Sequence, residues 1–447
     1  MVDKRKALNK EKAHRKFEEN GGFELDLRMK REAIESPFEE VPPADEMTVF
    51  LRQHIGPECR PLVEEGDEVK YGQKIGGGED LGWLMVPVHS PVDGTVKSIE
   101  KIEHPISGDE ETAVIIKTEN EEKRRVYEPL DPKEASRDEL IQRIREAGIV
   151  GLGGAVFPTH AKLDEAKGEV STLIINAKES DPNVACDVRL MVERPREMID
   201  GIKLMAYIIG ADDIVFATRT QEGELPEFEK HIERERNIRI ARVRPNYSIG
   251  YGRLLITEIL GDVVPHNKHS TDIGALVHNV LTAYAISRAI RKGEPLVSRG
   301  LTYYSQDIRG RNLWVRNGTP VGHIFDYLGE SPSKFERVAL GSIMMGPAIP
   351  DTSTPLLKAH AGVTGFTEDE PHPYEHQTWC IRCGYCNTVC PVDIYPQMIM
   401  KAQKKGKTKR LKKLNPDTCM DCGLCSFVCP ARINFKPHLR KAKSEFE

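Results

Sequence analysis

The sequence predicts a multidomain protein of combined α/β and α+β class, and three observations carry that expectation. Short β-prone runs broken by glycine fill residues 47–130, strands alternate with helices across residues 131–292, and two complete four-cysteine runs lie within residues 371–447. A chain of 447 residues has room for several domains, and a 39% hydrophobic content supplies their cores. The expected division is a charged N-terminal arm at 1–46, a small β domain at 47–130, an α/β domain at 131–292, a small α+β module at 293–350, a linker at 351–370 and a cysteine-rich helical domain at 371–447.

The arm is charge-rich, carries the basic stretch Lys4–Lys16 and ends in Pro42-Pro43 without sustained apolar periodicity, so it is expected to order only against a partner. From Met47, turn signals at Glu65-Gly66-Asp67, Tyr71-Gly72 and Gly76-Gly77-Gly78 separate runs such as Leu84–Val88 and Val92–Val96, which predicts an all-β module. Ser136-Arg137-Asp138-Glu139 is a capping box, and Leu140, Ile141, Ile144 and Ala147 give the helix it opens one apolar face. Thr172–Ala177, Asp213–Thr218 and Ile238–Val243 read as strands, with helices at Met198–Ile209 and Pro226–Glu235 between them and a long helix at Gly274–Arg291 after them. This alternation predicts a parallel sheet covered by helices on both faces. Val297–Tyr304 and Leu313–Val315 follow as strands and Thr319–Leu328 as a helix.

A net charge of −5 with 30% charged residues argues against nucleic acid as a bulk partner. No run reaches the length of about eighteen apolar residues that a membrane span needs, so membrane attachment is expected through partners. Basic density is local: Lys401–Lys413 holds eight Lys or Arg, either a solvated linker or a patch that steers an anionic partner. The N-terminus shows no apolar signal segment, which implies a reducing, cytoplasmic compartment. No acid–base or nucleophile constellation stands out, and His266, His269 and His278 lack metal-like companions.

The cysteines carry the sharpest signal. Cys380, Cys383, Cys386 and Cys390 precede Pro391, and Cys419, Cys422, Cys425 and Cys429 precede Pro430, both with the spacing C-x2-C-x2-C-x3-C-P. A zinc ribbon uses two separated C-x2-C pairs instead. The spacing resembles that of bacterial-type ferredoxins, which bind [4Fe–4S] clusters and lend the fourth cysteine of one run to the other cluster. The resemblance implies two [4Fe–4S] clusters in a ferredoxin-type helical domain, one held by Cys380, Cys383, Cys386 and Cys429, the other by Cys419, Cys422, Cys425 and Cys390. Gly384 and Gly423 would let the loops turn close to the inorganic core. Cys59 and Cys186 fall outside this spacing and read as ordinary thiols.

Pro61–Val69 and His89–Lys97 look like the halves of a barrel-sandwich hybrid of the biotinyl-lipoyl type, but the Val92-Asp93-Gly94 turn offers no lysine to carry a prosthetic group, so a scaffold is expected. The motif Gly148–Thr159, taken with the order of modules, resembles the RnfC component of the Rnf complex, the membrane-bound ferredoxin oxidoreductase that pumps sodium ions or protons. Gln53–Gly56, Leu173–Asn176, Gly293–Leu296, Asn317–Pro320 and Met344–Gly346 extend the resemblance over residues 47–435. The flavin-bearing NADH-oxidising subunit of respiratory complex I is similar too. Both imply a Rossmann-like α/β domain that binds FMN with NADH beside it, here followed by an SLBB-like α+β module.

Three departures shape the expectation for this chain. Val156 stands where the family places the last glycine of Gly-Gly-Ala-Gly-Phe-Pro-Thr, Glu179-Ser180-Asp181-Pro182 replaces Glu-Cys-Glu-Pro, and Gly250-Tyr251-Gly252-Arg253 replaces Gly-Gly-Glu-Lys. Loss of room beside the glycines Gly151, Gly153 and Gly154 leads to the expectation that FMN and NADH binding are lost, and no catalytic or flavin-binding residue is assigned. The chain would then be a peripheral electron-transfer subunit on the cytoplasmic side of an Rnf complex of the archaeal cytochrome-linked type. It would pass ferredoxin electrons through its clusters toward a cytochrome, alongside the integral and iron–sulfur subunits, while the complex moves Na+ or H+. The alternatives are an FMN-containing, NADH-oxidising RnfC, or a soluble RnfC-like NADH adaptor of a cytoplasmic reductase.

Overall fold

The computed structural model describes residues 30–120, 126–219, 224–265, 268–369 and 374–446. Residues 1–29, which include the basic Lys4–Lys16 stretch, and His266 lie outside the described residues. The part of the arm that is described folds onto the chain itself. A short helix, Arg31–Glu35, leads into strand β1 (Phe38–Glu40). Arg311 closes an ion pair onto Glu39 there, and Phe38 meets the Trp314 ring edge-on at 5.5 Å. The expectation that ordering needs a partner fails here because the partner is a sheet more than 250 residues downstream, which no local pattern announces.

The β module has two layers. Strands β2 (Glu46–Phe50), β4 (Glu68–Val69), β7 (Asp93–Glu103) and β8 (Glu110–Asn120) form one sheet in the order β2-β8-β7-β4. Strands β3 (Arg60–Pro61), β5 (Lys74–Gly77) and β6 (Val88–His89) form the other. Met47, Val49, Leu51, Ile75, Val88, Val96, Val114 and Ile116 are buried between them. At the Asp93–Gly94 bulge a Cβ on Gly94 would collide with the Lys117 carbonyl oxygen, and the Asp93 carboxylate accepts the Tyr71 amide at 2.6 Å. The turn is therefore a buried brace.

The α/β unit carries strands β9 (Thr172–Asn176), β10 (Asp213–Thr218), β11 (Ile238–Arg242) and β12 (Ala275–Asn279), all parallel and ordered β11-β10-β9-β12. Apolar clusters cover both faces, as expected of such a sheet. The capping box at Ser136 is formed in both directions. Helices Pro195–Ile209 and Val280–Lys292 cross so closely that a Cβ on Gly201 would collide with the Ala283 carbonyl oxygen. The single long helix read at Gly274–Arg291 is corrected: Ala275–Asn279 is a strand paired with β9, and the helix starts at Val280, where the Asn279 side chain accepts the amides of Leu281 and Thr282.

The third sheet has the order β1-β14-β13-β16-β15, built from β13 (Ser298–Tyr304), β14 (Arg311–Arg316), β15 (Arg337–Leu340) and β16 (Gly362–Phe366). Helix Val321–Leu328 packs its Val321, Ile324 and Phe325 on it. The stretch 351–370, read as a linker, thus contributes a strand. Its two glycines hide this in the sequence and are required by packing: a Cβ on Gly365 would meet the Phe335 ring at 2.5 Å, and one on Gly362 the Gly341 carbonyl at 2.6 Å.

The C-terminal region is helical, with Pro396–Lys404, Thr408–Leu414 and Lys436–Ser444 enclosing Ile394, Ile399, Leu411, Phe435 and Leu439. Its two cysteine runs repeat one backbone trace. Arg382 and Asp421, one residue before Cys383 and Cys422, are both left-handed at φ 58 and 56, as are Asp393 and Arg432 at φ 54 and 53. Among the described residues no helix is long and apolar enough to cross a membrane.

Candidate cofactor site and cysteine region

In an open parallel sheet the ligand crevice lies beyond the carboxyl ends of the strands where the order reverses. Here that point falls between β9 and β12. Asn176 and Asn279 end these strands, and each spends its amide NH2 on the crevice wall: Asn176 donates to the Gly250 carbonyl at 2.8 Å and Asn279 to the Asp187 carboxylate at 2.5 Å. The glycine loop reaches the same place, since a Cβ on Gly153 would sit 3.3 Å from Asn279 Cβ. Gly154, at φ +100, has open space where its Cβ would be. The loop is pinned by Gly151 N–H to the Phe157 carbonyl at 2.9 Å and by Leu152 N–H to the Thr282 hydroxyl at 2.9 Å.

Helix Thr159–Ala166 starts directly after this loop and carries Lys162 in its first turn. The Lys162 ammonium is buried and donates to the Val277 carbonyl; burial lowers its pKa to about 8, so it remains a cation near neutral pH. Thr159 Oγ1 and His278 Nε2 are buried without a hydrogen-bond partner among the described residues, and burial, with the Lys162 charge, holds His278 neutral. A buried ammonium, two orphaned polar atoms and a glycine cradle at a helix start are the features of an anion site. They fit a cofactor that brings a phosphate and a flat ring.

The next loop supplies buried charge. The Glu179 carboxylate accepts the amides of Asp187 and Val188 at 2.7 and 3.2 Å, capping helix Cys186–Glu193, and pairs with Lys30 at 3.2 Å. Burial, then the neighbouring Glu179, raises Asp187 to about 7. Lys178 donates to the Ser180 hydroxyl at 3.0 Å, and burial followed by Arg219 and Lys30 lowers it to about 7. Glu179, Cys186 and Asp187 bring three ligand atoms within 4.8 Å of one another. With the Lys30 ammonium already on Glu179, a divalent cation would meet a resident positive charge, so this trio reads as an electrostatic brace.

Two of the altered loops touch. Gly250 has no room for a side chain because its Cβ would collide with Ser180 Oγ. Beyond it, Tyr247 and Tyr251 leave the crevice and pack with Met344, Leu424 and Cys422, and the Tyr251 hydroxyl donates to Met345 sulfur at 2.7 Å. The third alteration is absorbed by the backbone. Val156 keeps the glycine-like trace at φ 45, its carbonyl accepts the Ile55 amide at 3.2 Å, and its side chain packs on the main core of the α/β unit. A branched residue at positive φ stores strain of about 1–3 kcal/mol.

The cysteines gather in two neighbourhoods. Burial raises Cys386 to about 11, with Cys429, Cys380 and Cys383 adding to the shift; Cys419 rises to about 11 by burial and the proximity of Cys390, and Cys422 to about 12 by burial with Cys390 and Cys419 nearby. Cys390, Cys419, Cys422 and Cys425 line one small cavity. Cys429 thus lies with the first run and Cys390 with the second. Neither neighbourhood closes to the tightness of a single-ion site: among the described residues only the Glu179 trio does. The expectation of two complete [4Fe–4S] ligand sets is corrected accordingly to two thiol neighbourhoods.

Glycine cradle, parallel sheet and paired cysteine runs define a protein of electron transport, with a flavin-type α/β domain joined to an iron–sulfur region. Three family models match in chain order: the RnfC barrel sandwich hybrid domain over residues 18–121, the Nuo51 FMN-binding domain over 144–288 and a 4Fe-4S dicluster domain over 379–433. The C component of the ion-translocating oxidoreductase complex of Serratia proteamaculans is 35% identical over 376 residues, covering 83% of this chain and 53% of the relative. Those of Actinobacillus succinogenes and Haemophilus influenzae are 36% and 35% identical over the same share of this chain and 53% and 57% of their own. The chain belongs to the RnfC family, and it spans about half the length of the curated relatives it matches. In fold it is similar to a chain of an NAD+-reducing [NiFe]-hydrogenase in its H2-reduced state, with a TM-score of 0.52 at 19% identity over 71% of this chain and 64% of that one. The air-oxidised state gives 0.51 at 19%, over 70% and 67%.

The expectation that FMN is absent is overturned. The FMN-binding match runs through Val156, Glu179–Pro182 and Gly250–Arg253, so the three departures lie inside a domain that still scores as flavin-binding. The inference from Val156 failed because a left-handed backbone lets it keep the glycine-like trace while its half-buried side chain packs against the core. Lys162, His278 and Asn279 were missed as site residues; their only sequence signal was position, at the start of one helix and the end of one strand.

Proposed function

We propose that this chain is the electron-transfer subunit of a membrane-bound Rnf-type complex that exchanges electrons between a nicotinamide nucleotide and iron–sulfur centres by way of FMN. The reading without NADH rested on loss of the flavin and falls with that premise. The observation that carries the present reading is the glycine loop set against Asn279 at the switch point of the sheet, with Asn176 ending the neighbouring strand and Lys162 on the Val277 carbonyl of β12. Lys162 would neutralise the phosphate, Thr159 and His278 would find partners in it, and the glycines would let backbone N–H groups approach. FMN held there would supply the conversion between two-electron and one-electron transfer.

The remaining steps belong to the chain's own residues. Asn176 and Asn279 orient polar edges of the crevice, and Asp187, poised near neutrality by burial, can hold or release a proton beside it. Tyr247 and Tyr251 pack the crevice loop beside Cys422, which supports the Cys390, Cys419, Cys422 and Cys425 neighbourhood as the iron–sulfur ligands nearer the flavin. Cys380, Cys383, Cys386 and Cys429 would form the outer thiol neighbourhood, with Cys380 and Cys383 exposed beside Trp379, which is 93% exposed. The exposed lysines of Lys401–Lys413 would steer an acidic ferredoxin or an anionic partner subunit to that end. Attachment to the cytoplasmic face of the complex would come from such protein contacts, and Na+ or H+ movement from the integral subunits.

The test is anaerobic titration of the purified, cofactor-loaded protein with NADH and separately with reduced ferredoxin. NADH should bleach the flavin and then the iron–sulfur absorption. Bleaching by ferredoxin but not by NADH would refute the nicotinamide reading.

A further inference from the structure

Lys30 lies in the charged arm expected to order only against a partner, yet it is fully buried within the chain. Its ammonium donates to the backbone carbonyls of Glu179 at 2.5 Å and Asp181 at 3.4 Å and pairs with the Glu179 carboxylate at 3.2 Å. Glu179 sits at φ 42, a left-handed conformation that a non-glycine residue holds only when its surroundings impose it. One side chain therefore ties three things: a strained loop at the mouth of the crevice, the carboxylate that caps helix Cys186–Glu193, and the N-terminal segment. That segment is itself anchored. The Asn312 side chain donates to the carbonyls of Ala33 and Ser36 at 2.5 and 2.8 Å, Arg189 donates to the Glu35 carbonyl at 3.2 Å, and a Cβ on Gly310 would collide with Ala33.

Stability alone does not ask for this arrangement. Taking an ammonium and a carboxylate out of water costs as much as their attraction returns, and apolar residues of similar size serve a core as well. Hydrogen bonding to loop carbonyls does something an apolar side chain cannot: it fixes the path of residues 179–181. Resting on the flavin-binding reading of the crevice, we propose that Lys30 is a positioning residue that locks the Glu179–Asp181 loop in its cofactor-receiving conformation from the N-terminal side. FMN affinity then depends on a residue that precedes strand β2 and lies 149 positions away from Glu179 in the chain.

The experiment uses the full chain with its iron–sulfur centres and compares wild type, Lys30→Met and the double variant Lys30→Met/Glu179→Gln. FMN binding is followed by quenching of flavin fluorescence, amide exchange at Asp187 and Val188 is followed in the flavin-free protein, and iron content reports integrity. Lys30→Met should weaken FMN binding about tenfold or more, the scale on which supporting partners act on a bound group. It should also speed exchange at Asp187 and Val188 with iron content unchanged. The double variant removes both members of the Lys30–Glu179 pair together, so neither is left behind without the other; affinity should stay weak because the bonds to the Glu179 and Asp181 carbonyls are still missing. Wild-type affinity in either variant would overturn the proposal, and the double variant decides it if Lys30→Met does not fold. Should the wild type itself take up no FMN, the flavin reading falls; unchanged exchange in Lys30→Met, which keeps the Glu179 cap, would then overturn the lock, and faster exchange would sustain it.

Discussion

Replacing Lys162 with Met should move stability and cofactor affinity in opposite directions. In the cofactor-free protein the buried ammonium is a liability: a fall from 10.5 to about 8 corresponds to a burial penalty of about 3 kcal/mol at about 1.4 kcal/mol per tenfold. Met removes that penalty and loses the bond to the Val277 carbonyl, a contribution of about 1 kcal/mol. The flavin-free variant should gain about 2 kcal/mol. Because the folded pKa lies below the unfolded one, the penalty is full below about pH 8 and is relieved as pH rises toward 10.5. The wild type should therefore become more stable across that window and the variant should not. Binding runs the other way. Losing hydrogen bonds to a charged phosphate costs about 1.5–3 kcal/mol, or about 10- to 150-fold in Kd. In the wild type, affinity should be flat below about pH 8 and fall above it, since the free lysine must first take up a proton. Thermal unfolding with and without FMN, and fluorescence titration against pH, read both effects. A variant that is less stable and binds FMN normally would refute the role given to Lys162.

Three further outcomes are expected. Gly201→Ala drives a Cβ into the Ala283 carbonyl oxygen, so the two helices must separate; a stability loss of about 1–3 kcal/mol by thermal unfolding is expected, and no loss would mean the helices do not cross there. Cys429→Ser should lower the iron bound per chain, and an unchanged iron content would remove Cys429 from the ligands. Exchanging Lys404, Lys405, Lys407 and Lys409 for Ser should flatten the salt dependence of electron exchange with ferredoxin without changing flavin content, and an unaltered salt dependence would move the docking surface elsewhere.

What could be read in advance followed local signals. The run Thr172–Asn176 is apolar enough to stand alone as a strand, and the Ser136 box and the two cysteine runs state their own geometry. What escaped was set by distant partners. Ala275–Asn279 reads as the first turn of a helix until β9 pairs with it, Gly362–Phe366 reads as a linker until its glycines are seen under Gly341 and Phe335, and Phe38–Glu40 needs β14. The site was legible in its glycines and misjudged at Val156, where side-chain volume was weighed without the backbone conformation that directs it. Lys30 could not have been found, because its partners Glu179 and Asp181 lie about 150 positions downstream and the charged arm around it gives no sign of them.

The most direct measurement is the flavin content of the purified protein, taken by acid extraction alongside iron and sulfide. The account predicts FMN in amounts equal to the chain, released when Lys162 is replaced by Met. Protein that carries iron and sulfide, takes up no FMN on incubation with an excess, and shows no change in flavin retention on altering Lys162 would contradict it.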